Sequence, residues 1–252
     1  MKRIDKMLLL AFLVAASCSS GSAEPQGRSR QLLVLVDRSA SQSDVTRSEH
    51  LAYLRTLITR LDYGDEAILL RVNQKGPREE DYQPFIVEIP AERKLGRESS
   101  LDRDKKSGVI EGALSALEVL YADSIPARNT DLFSTFHVAS ELVQDAGNKE
   151  RVIVVLSDML QSAQGVEMDR LRRMPSPTWL RDQQHAGTLP SLQGACVMVV
   201  GADDSEHGGV VVRDFWIAYF GAAGATLTAD SYRLRPPITP RDRCQSLEDS
   251  RG

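Results

Sequence analysis

The sequence predicts an α/β fold: a doubly wound, mostly parallel sheet with helices on both faces and one antiparallel edge strand. The first observation behind this prediction is that apolar segments of strand length alternate with segments of helical periodicity from residue 31 to residue 230. The second is that residues 32–36 are apolar at every position, which is typical of a strand buried on both faces. With 252 residues and no internal repeat or dividing linker, the chain has room for one such domain.

The strands are predicted from short apolar or alternating runs. They lie at residues 31–37, 67–72, 84–89, 151–157, 195–201 and 225–229. Prolines flank the third run, which therefore suits the edge of the sheet. No Gly-x-Gly-x-x-Gly follows the first strand and no Gly-x-x-x-x-Gly-Lys occurs in the sequence. These two absences disfavour a dinucleotide-binding fold and exclude a P-loop.

The helices are predicted from apolar residues that recur at helical spacing. The first follows Asp44 as its N-cap and ends before Tyr63, the second covers 110–120, the third runs from Thr130 to Gly147, and the fourth covers 210–220. The fourth helix is rich in aromatic residues, and we expect it to pack on the sheet.

Two longer connections complete the predicted domain. Residues 91–107 carry dense charges of both signs and are predicted to form an exposed loop. Residues 160–193 contain three prolines and are predicted to be irregular, with a short helix around 166–173. We expect Trp179, within this connection, to belong to the core.

The chain begins with the pattern of a targeting segment. Basic residues precede an apolar stretch at 7–16 that is too short to span a bilayer. Small residues then lead to Cys18, as in a bacterial lipobox, although Ala15 stands where that motif usually has leucine. We therefore predict a lipoprotein signal peptide at 1–17 and lipidation of Cys18. An ordinary signal peptide cleaved after Ala23 is the alternative.

These patterns divide the rest of the chain into three parts. Residues 18–30 are small and polar and form a predicted flexible tether, residues 31–232 form the folded domain, and residues 233–252 form a polar C-terminal tail. The prediction places the domain in the bacterial cell envelope, lipid-anchored in the periplasm or at the outer membrane. The net charge of −4, without a basic stripe, disfavours nucleic acid as a partner.

Cysteine and histidine are sparse in the sequence. Cys196 lies in an apolar run and Cys244 in the polar tail, and an exported context permits a disulfide between them. The sequence does not establish that this bond forms. The four histidines are scattered without paired spacing, so we predict no zinc site.

Five polar residues stand where metal chemistry is expected. Asp37, Ser39 and Ser41 follow the first predicted strand, Thr130 opens a helix, and Asp158 ends another buried strand. Ligands of open α/β sheets bind at the carboxyl ends of strands. Oxygen atoms of these residue types suit Mg²⁺, with Mn²⁺ or Ca²⁺ as alternatives. Each residue also has a purely structural interpretation, as a turn former or a helix cap.

The order of these segments resembles the von Willebrand factor A (VWA) family and its metal-ion-dependent adhesion site (MIDAS). The resemblance implies direct ligation by Ser39 and Ser41, ligation by Thr130 directly or through water, and mainly water-mediated roles for Asp37 and Asp158. It also implies an open coordination position that an Asp or Glu carboxylate of another protein completes. We interpret the neighbouring Asp131 as helix-start chemistry rather than a ligand.

Three functions follow from the sequence as hypotheses. The first is a non-enzymatic, metal-dependent protein-binding module of the cell envelope, without a small-molecule cofactor. The second is a metal-assisted envelope hydrolase, which the sequence disfavours because it shows no Cys-His or Ser-His pairing and no second metal cluster. The Asp-x-Ser start also differs from the Asp-x-Asp start of aspartate-nucleophile phosphatases. The third is a scaffold that binds its partner independently of metal, for example through residues 160–193.

Overall fold

A computed structural model gives the fold of most of the predicted domain. It describes residues 28–39, 42–72, 82–91, 99–122, 129–143, 147–171, 173–176, 178–205, 208–239 and 244. The predicted signal peptide, Cys18, most of the tether, Ser41 and most of the C-terminal tail lie outside these residues. The domain boundaries therefore stay predictions.

The described strands form one six-stranded sheet. The strands are β1 (Arg30–Val36), β2 (Glu66–Arg71), β3 (Phe85–Glu88), β4 (Glu150–Leu156), β5 (Cys196–Val200) and β6 (Thr226–Arg233). Their order across the sheet is β3-β2-β1-β4-β5-β6. All neighbouring pairs are parallel except β2 and β3, which are antiparallel. This arrangement confirms the predicted fold class, including the antiparallel edge strand.

The apolar run of β1 reflects its central position. This strand pairs in parallel with β2 on one side and with β4 on the other. Every residue of β1 is buried, because helices cover both faces of the sheet. Leu33 and Leu35 belong to the apolar cluster on one face, whereas Leu32 and Val34 belong to the cluster on the other. The alternation of side chains along a strand thus divides one continuous run between two cores.

In the described part of the chain, five α-helices flank the sheet. They are α1 (Asp44–Thr59), α2 (Ser100–Ala122), α3 (Leu132–Val143), α4 (Trp179–Ala186) and α5 (Gly209–Ala222). Residues of α1 and α2 belong to one apolar cluster, and residues of α3 and α5 belong to the other. Aromatic rings join α3 to α5, with Phe136 and Phe220 centred 4.9 Å apart. The predicted packing of the aromatic helix on the sheet is therefore confirmed.

The starts of α1 and α2 differ from the prediction. The N-cap of α1 is Ser43, whose side chain accepts a hydrogen bond from the Thr46 backbone N–H at 3.1 Å, rather than Asp44. Helix α2 begins at Ser100, although residues 91–107 were predicted to be a loop. Ser99 accepts a hydrogen bond from the Asp102 backbone N–H and starts this helix. Charges of both signs are compatible with the exposed face of a helix as well as with a loop, so composition alone misassigned the segment.

The 160–193 connection contains more structure than predicted. Helix α4 lies within it and has no buried residue, so apolar periodicity could not reveal this helix. The helix predicted around 166–173 is only a short 3₁₀ turn at Asp169–Leu171. Trp179 is half-buried against the core, with its ring 5.1 Å from that of Phe133, which confirms its predicted core contact.

A disulfide joins Cys196 in β5 to Cys244 in the tail, with their Cα atoms 5.4 Å apart. The tail is therefore attached covalently to the sheet at this point. Among the residues that the structure describes, no helix is long and apolar enough to cross a membrane.

Candidate metal-ion site

The site is organised by two strand ends that lie side by side. Val36 and Leu156, the last residues of β1 and β4, are partners in the parallel register. The Asp37 backbone N–H donates to the Leu156 carbonyl at 2.9 Å, so pairing continues to the first polar residue. Because the two strands end together, Asp37 and Asp158 leave the sheet at the same edge. The sequence predicted both residues as strand-terminal, and the topology makes them neighbours.

Hydrogen bonds from Ser39 and Ser157 orient Asp37. Its side chain is 2% exposed. The Ser39 backbone N–H donates to Asp37 Oδ1 at 2.8 Å, and Ser157 Oγ donates to Asp37 Oδ2 at 2.7 Å. Each carboxylate oxygen therefore accepts one of these bonds and keeps further acceptor capacity. The loop that follows β1 and the end of β4 together fix the orientation of the carboxylate.

The environment of Asp37 disfavours its negative charge. Burial raises the pKa of Asp37 to about 6, and the negative charge of Asp158 acts in the same direction. The hydrogen bonds from Ser157 and Ser39 lower the pKa but do not offset these two effects. A cation at this strand end would favour the ionised form of both carboxylates, so the electrostatics fit a metal ion.

Ser157 is a site residue that the sequence analysis missed. Besides donating to Asp37, its hydroxyl accepts a hydrogen bond from the Met159 backbone N–H at 3.0 Å. The adjacent Asp158 is half-buried, and its Oδ1 accepts from the Leu160 backbone N–H at 3.0 Å. These two hydrogen bonds, from backbone N–H groups to the side chains of Ser157 and Asp158, shape the loop after β4. The sequence offered one signal for Ser157: its hydroxyl directly precedes Asp158, which was a predicted site residue.

Thr130 lies against this same loop. It is 3% exposed. Its backbone N–H donates to Ser162 Oγ at 2.8 Å, and its carbonyl accepts from the Ser162 backbone N–H at 2.9 Å. Thr130 is thus fixed to the segment that begins with Asp158. The structure therefore connects Asp37, Ser39, Thr130 and Asp158 through one loop system.

Asp131, rather than Thr130, caps α3. The helix begins at Leu132, and Asp131 Oδ1 accepts from the Ser134 backbone N–H at 3.1 Å. The prediction that Thr130 begins the helix is off by two residues, whereas the interpretation of Asp131 as helix-start chemistry is confirmed. Thr130 precedes the N-cap residue. The alternative interpretation, in which Thr130 is only the helix cap, is therefore wrong.

Two glutamines complete the start of α3. Gln161 Oε1 accepts from the Leu132 backbone N–H at 2.6 Å, and Gln164 Nε2 donates to Asp131 Oδ1 at 3.0 Å. Both glutamines follow β4, so they hold the start of α3 beside the end of that strand. Nothing in their sequence positions indicated this role.

The available donors suit a hard cation. The four described candidates supply two carboxylates, from Asp37 and Asp158, and two hydroxyls, from Ser39 and Thr130, all with oxygen donors. No group of three or more His, Cys, Asp or Glu side chains that could hold a metal occurs within the described part of the chain. A site here would therefore depend on hydroxyls and water in addition to its two carboxylates.

No protein-family model matches this sequence, and no curated protein matches it. Among solved structures, the conserved hypothetical protein BatB from Bacteroides thetaiotaomicron is 13% identical, with a TM-score of 0.40 over 68% of this chain and 66% of its own. The pilus adhesin SpaC from Lactobacillus rhamnosus GG, in an open conformation, is 13% identical, with a TM-score of 0.48 over 89% of this chain and 29% of its own.

A third similar structure is a von Willebrand factor type A protein from Catenulispora acidiphila. It is 10% identical, with a TM-score of 0.36 over 78% of this chain and 42% of its own. This chain therefore spans less than two thirds of the length of all three proteins. The strand order and register described above define the fold of this chain.

Proposed function

We propose that this protein is a non-enzymatic, metal-dependent protein-binding module. The observation that supports the proposal most directly is the meeting of Asp37 and Asp158 at the ends of β1 and β4. Two carboxylates that oppose each other's ionisation, with oriented hydroxyls nearby, form an arrangement that a divalent cation would stabilise. Mg²⁺ is the proposed ion, with Mn²⁺ or Ca²⁺ as alternatives.

The proposed roles divide the site between binding and orientation. Ser39, Ser41 and Thr130 would hold the ion through their hydroxyls, and Asp37 and Asp158 would orient water molecules around it. Ser157 positions Asp37 through its hydrogen bond. When bound, the ion would supply positive charge and a coordination position that a partner's Asp or Glu can fill.

The proposed location is the bacterial cell envelope, with the domain attached through a lipid on Cys18. The charged start, the short apolar segment and the following cysteine of the sequence support this location. Mass spectrometry of the mature N-terminus is expected to find a diacylated Cys18. A soluble mature protein that starts near Glu24 would contradict the anchor without affecting the proposal for the metal site.

Calorimetric titration tests the metal site. Wild-type protein is expected to bind Mg²⁺ or Mn²⁺ reversibly, and the double variant Ser39→Ala, Ser41→Ala is expected to lose this binding because two hydroxyl ligands are removed. Ser43→Ala is the matched control, since Ser43 lies in the same connection but caps α1. Equal binding by wild type and the double variant would place any metal elsewhere.

A capture experiment tests the function of the site. Immobilised wild-type protein is incubated with envelope extract in Mg²⁺ or in chelator. Capture of a partner in Mg²⁺ alone, lost in Asp158→Ala, supports the proposal. Partner capture that persists in chelator would favour the metal-independent scaffold. Phosphatase or protease activity that depends on Asp37 would instead favour the hydrolase.

A further inference from the structure

The loop that follows β4 has an unusual backbone conformation at Met159. This residue directly follows Asp158, and its φ of 62° lies in the left-handed region that residues with a side chain rarely adopt. The Met159 side chain is fully buried in the apolar cluster that α3 and α5 share. A thioether offers no local hydrogen bond that would favour this conformation, as an Asn or Asp side chain can. Contacts with the surrounding structure must therefore hold it.

Hydrogen bonds hold both backbone groups of Met159. Its N–H donates to Ser157 Oγ at 3.0 Å, and its carbonyl accepts from the Gln161 backbone N–H at 3.2 Å. Ser157 and Gln161 belong to the same segment of chain as Met159. The carbonyl also accepts from Trp216 Nε1 at 2.9 Å. Since Trp216 belongs to α5, this third bond connects the loop to a separate element.

The indole ring of Trp216 is itself held in place by packing. It is 0% exposed, and its ring centre lies 5.6 Å from that of Phe136 in α3 and 5.3 Å from that of Tyr219 in α5. An indole N–H can only donate, and a buried donor without an acceptor is costly. The carbonyl of Met159 supplies the acceptor. The packed helices therefore present a fixed donor to the loop.

The conformation of Met159 determines how the two site carboxylates are held. Ser157 Oγ, which accepts from the Met159 N–H, donates to Asp37 Oδ2 at 2.7 Å. Asp158 Oδ1 accepts from the Leu160 backbone N–H at 3.0 Å, and Met159 lies between these two residues. A rotation of the backbone at Met159 would therefore move Asp158 and disturb the hydroxyl that orients Asp37.

We propose that Trp216 is a positioning residue for the candidate metal-ion site. Its indole N–H holds the Met159 carbonyl and thereby fixes the loop that presents Asp158. The effect on an ion rests on the proposed metal-binding function, whereas the effect on the loop exists without metal. Without this bond Asp158 would sample more orientations, and ordering them on ion binding would lower the affinity.

Amide hydrogen exchange in chelator tests the effect on the loop. Trp216→Phe keeps an aromatic ring but removes the donor, so the amides of Met159 and Leu160 are expected to exchange roughly tenfold faster. The amide of Val154, in the middle of β4, is expected to exchange as in wild type. Trp179→Phe makes the same change against the same apolar cluster and is the matched control, with loop exchange as in wild type. Unchanged loop exchange in Trp216→Phe, or equal acceleration at Val154, would overturn the proposal.

An isosteric replacement separates the hydrogen bond from packing. The sequence contains two tryptophans, so Trp216 is the remaining one in the Trp179→Phe background. Growth on benzothienylalanine then replaces the indole N–H by sulfur and preserves the shape of the ring. This protein is expected to show the same faster exchange at Met159 and Leu160. Exchange as in the Trp179→Phe parent would overturn the proposal, also if Trp216→Phe itself does not fold.

Calorimetric titration with Mg²⁺ tests the effect on the ion. Trp216→Phe is expected to bind Mg²⁺ roughly tenfold more weakly than wild type, and Trp179→Phe is expected to bind as wild type. Unchanged affinity in Trp216→Phe would overturn the positioning role and leave the metal site standing. If wild type itself binds no Mg²⁺, the proposed metal function fails, and hydrogen exchange in chelator still decides whether Trp216 holds the loop.

Discussion

At the scale of single residues, Asp37 combines deep burial with a neighbouring negative charge. Its folded-state pKa of about 6 lies above the usual 3.8, so the folded protein binds this proton more tightly than the unfolded chain does. The contribution of Asp37 to the free energy of unfolding therefore increases as the pH falls through 6 towards 3.8. It is absent well above pH 6, where the carboxylate is ionised in both states.

The first prediction uses Asp37→Asn in metal-free buffer. Between about pH 7.5 and pH 5, the free energy of unfolding of wild type is expected to rise by about 1 kcal/mol relative to the variant. Urea unfolding at several pH values measures this difference. If the free energies of unfolding of the two proteins change in parallel with pH, Asp37 has an ordinary pKa and Asp158 does not disfavour its ionisation.

His50 makes the comparison with a variant necessary. It is buried in α1, and burial lowers its pKa to about 4 from 6.5. The imidazole ring of His50 packs closely against Gly201. A Cβ atom added at Gly201 would lie only 2.8 Å from this ring. Because the neutral form is favoured in the fold, stability is lost as the pH falls from 6.5 towards 4. This loss opposes the gain from Asp37, but it is common to wild type and Asp37→Asn and cancels in their difference.

The second prediction concerns Asp158→Ala. This variant loses the hydrogen bond from the Leu160 backbone N–H but also removes the charge that opposes ionisation of Asp37. The free energy of unfolding without metal is therefore expected to change by about 1 kcal/mol or less, in either direction. Thermal melting in chelator measures this change, and calorimetry measures the expected loss of Mg²⁺ binding.

Asp182→Ala, on the exposed surface of α4, is the control for the removal of one carboxylate. Full metal binding by Asp158→Ala would show that Asp158 has no part in the site. A variant that unfolds would instead show that Asp158 is a structural residue.

At the scale of elements, the start of α3 depends on a buried polar cluster. Asp131 accepts hydrogen bonds from the Ser134 backbone N–H and from the side chains of Ser134 and Gln164. Gln161 binds the Leu132 backbone N–H and connects the helix to the loop after β4. The loop that carries Asp158 therefore also holds the start of α3 through hydrogen bonds.

The third prediction is that Asp131→Ala lowers the free energy of unfolding by about 3 kcal/mol. The variant loses a helix cap and also the carboxylate that accepts hydrogen bonds from the buried Ser134 hydroxyl and from the side-chain amides of Gln161 and Gln164. Ser43→Ala is the matched control, because Ser43 caps α1 at an exposed position, and its cost is expected to be about 1 kcal/mol. Urea unfolding compares the two. Equal costs would mean that Asp131 contributes only as an ordinary cap.

At the scale of the whole molecule, the disulfide connects the C-terminal tail to the sheet. Cys196 lies in β5, and Cys244 lies 48 positions later in the chain. The enclosed chain contains α5 and β6, so the bond restricts a large part of the unfolded polypeptide. In the chain-entropy account, a crosslink of this span stabilises the fold chiefly by reducing the freedom of the unfolded state.

The fourth prediction is that Cys244→Ser lowers the free energy of unfolding by about 2–4 kcal/mol under oxidising conditions. Wild type treated with reductant is expected to unfold at the same urea concentration as the variant. If wild type and the variant unfold at the same urea concentration without reductant, the disulfide does not form. Mass spectrometry of the oxidised protein would then find two free thiols.

Local patterns in the sequence determined most of the fold. The uniformly apolar residues of β1 and β4 identified the buried strands, and the apolar spacing of α1, α3 and α5 identified helices that pack on the sheet. The same patterns placed Asp37 and Asp158 at strand ends. These features were predictable because a buried strand or an amphipathic helix needs its apolar residues at fixed intervals along the chain. Helix α4 buries no residue and therefore left no such pattern.

Only the tertiary structure decided which polar groups meet. Ser157 reaches Asp37 across 120 positions of sequence, and Gln164 reaches Asp131 across 33. The pairing of Cys196 with Cys244 likewise depends on where the folded tail meets β5. A hydrogen bond or a cavity is a property of groups brought together by folding, whereas periodicity is a property of one segment. The sequence alone therefore determined the elements, and the packing of those elements determined the partners of each polar side chain.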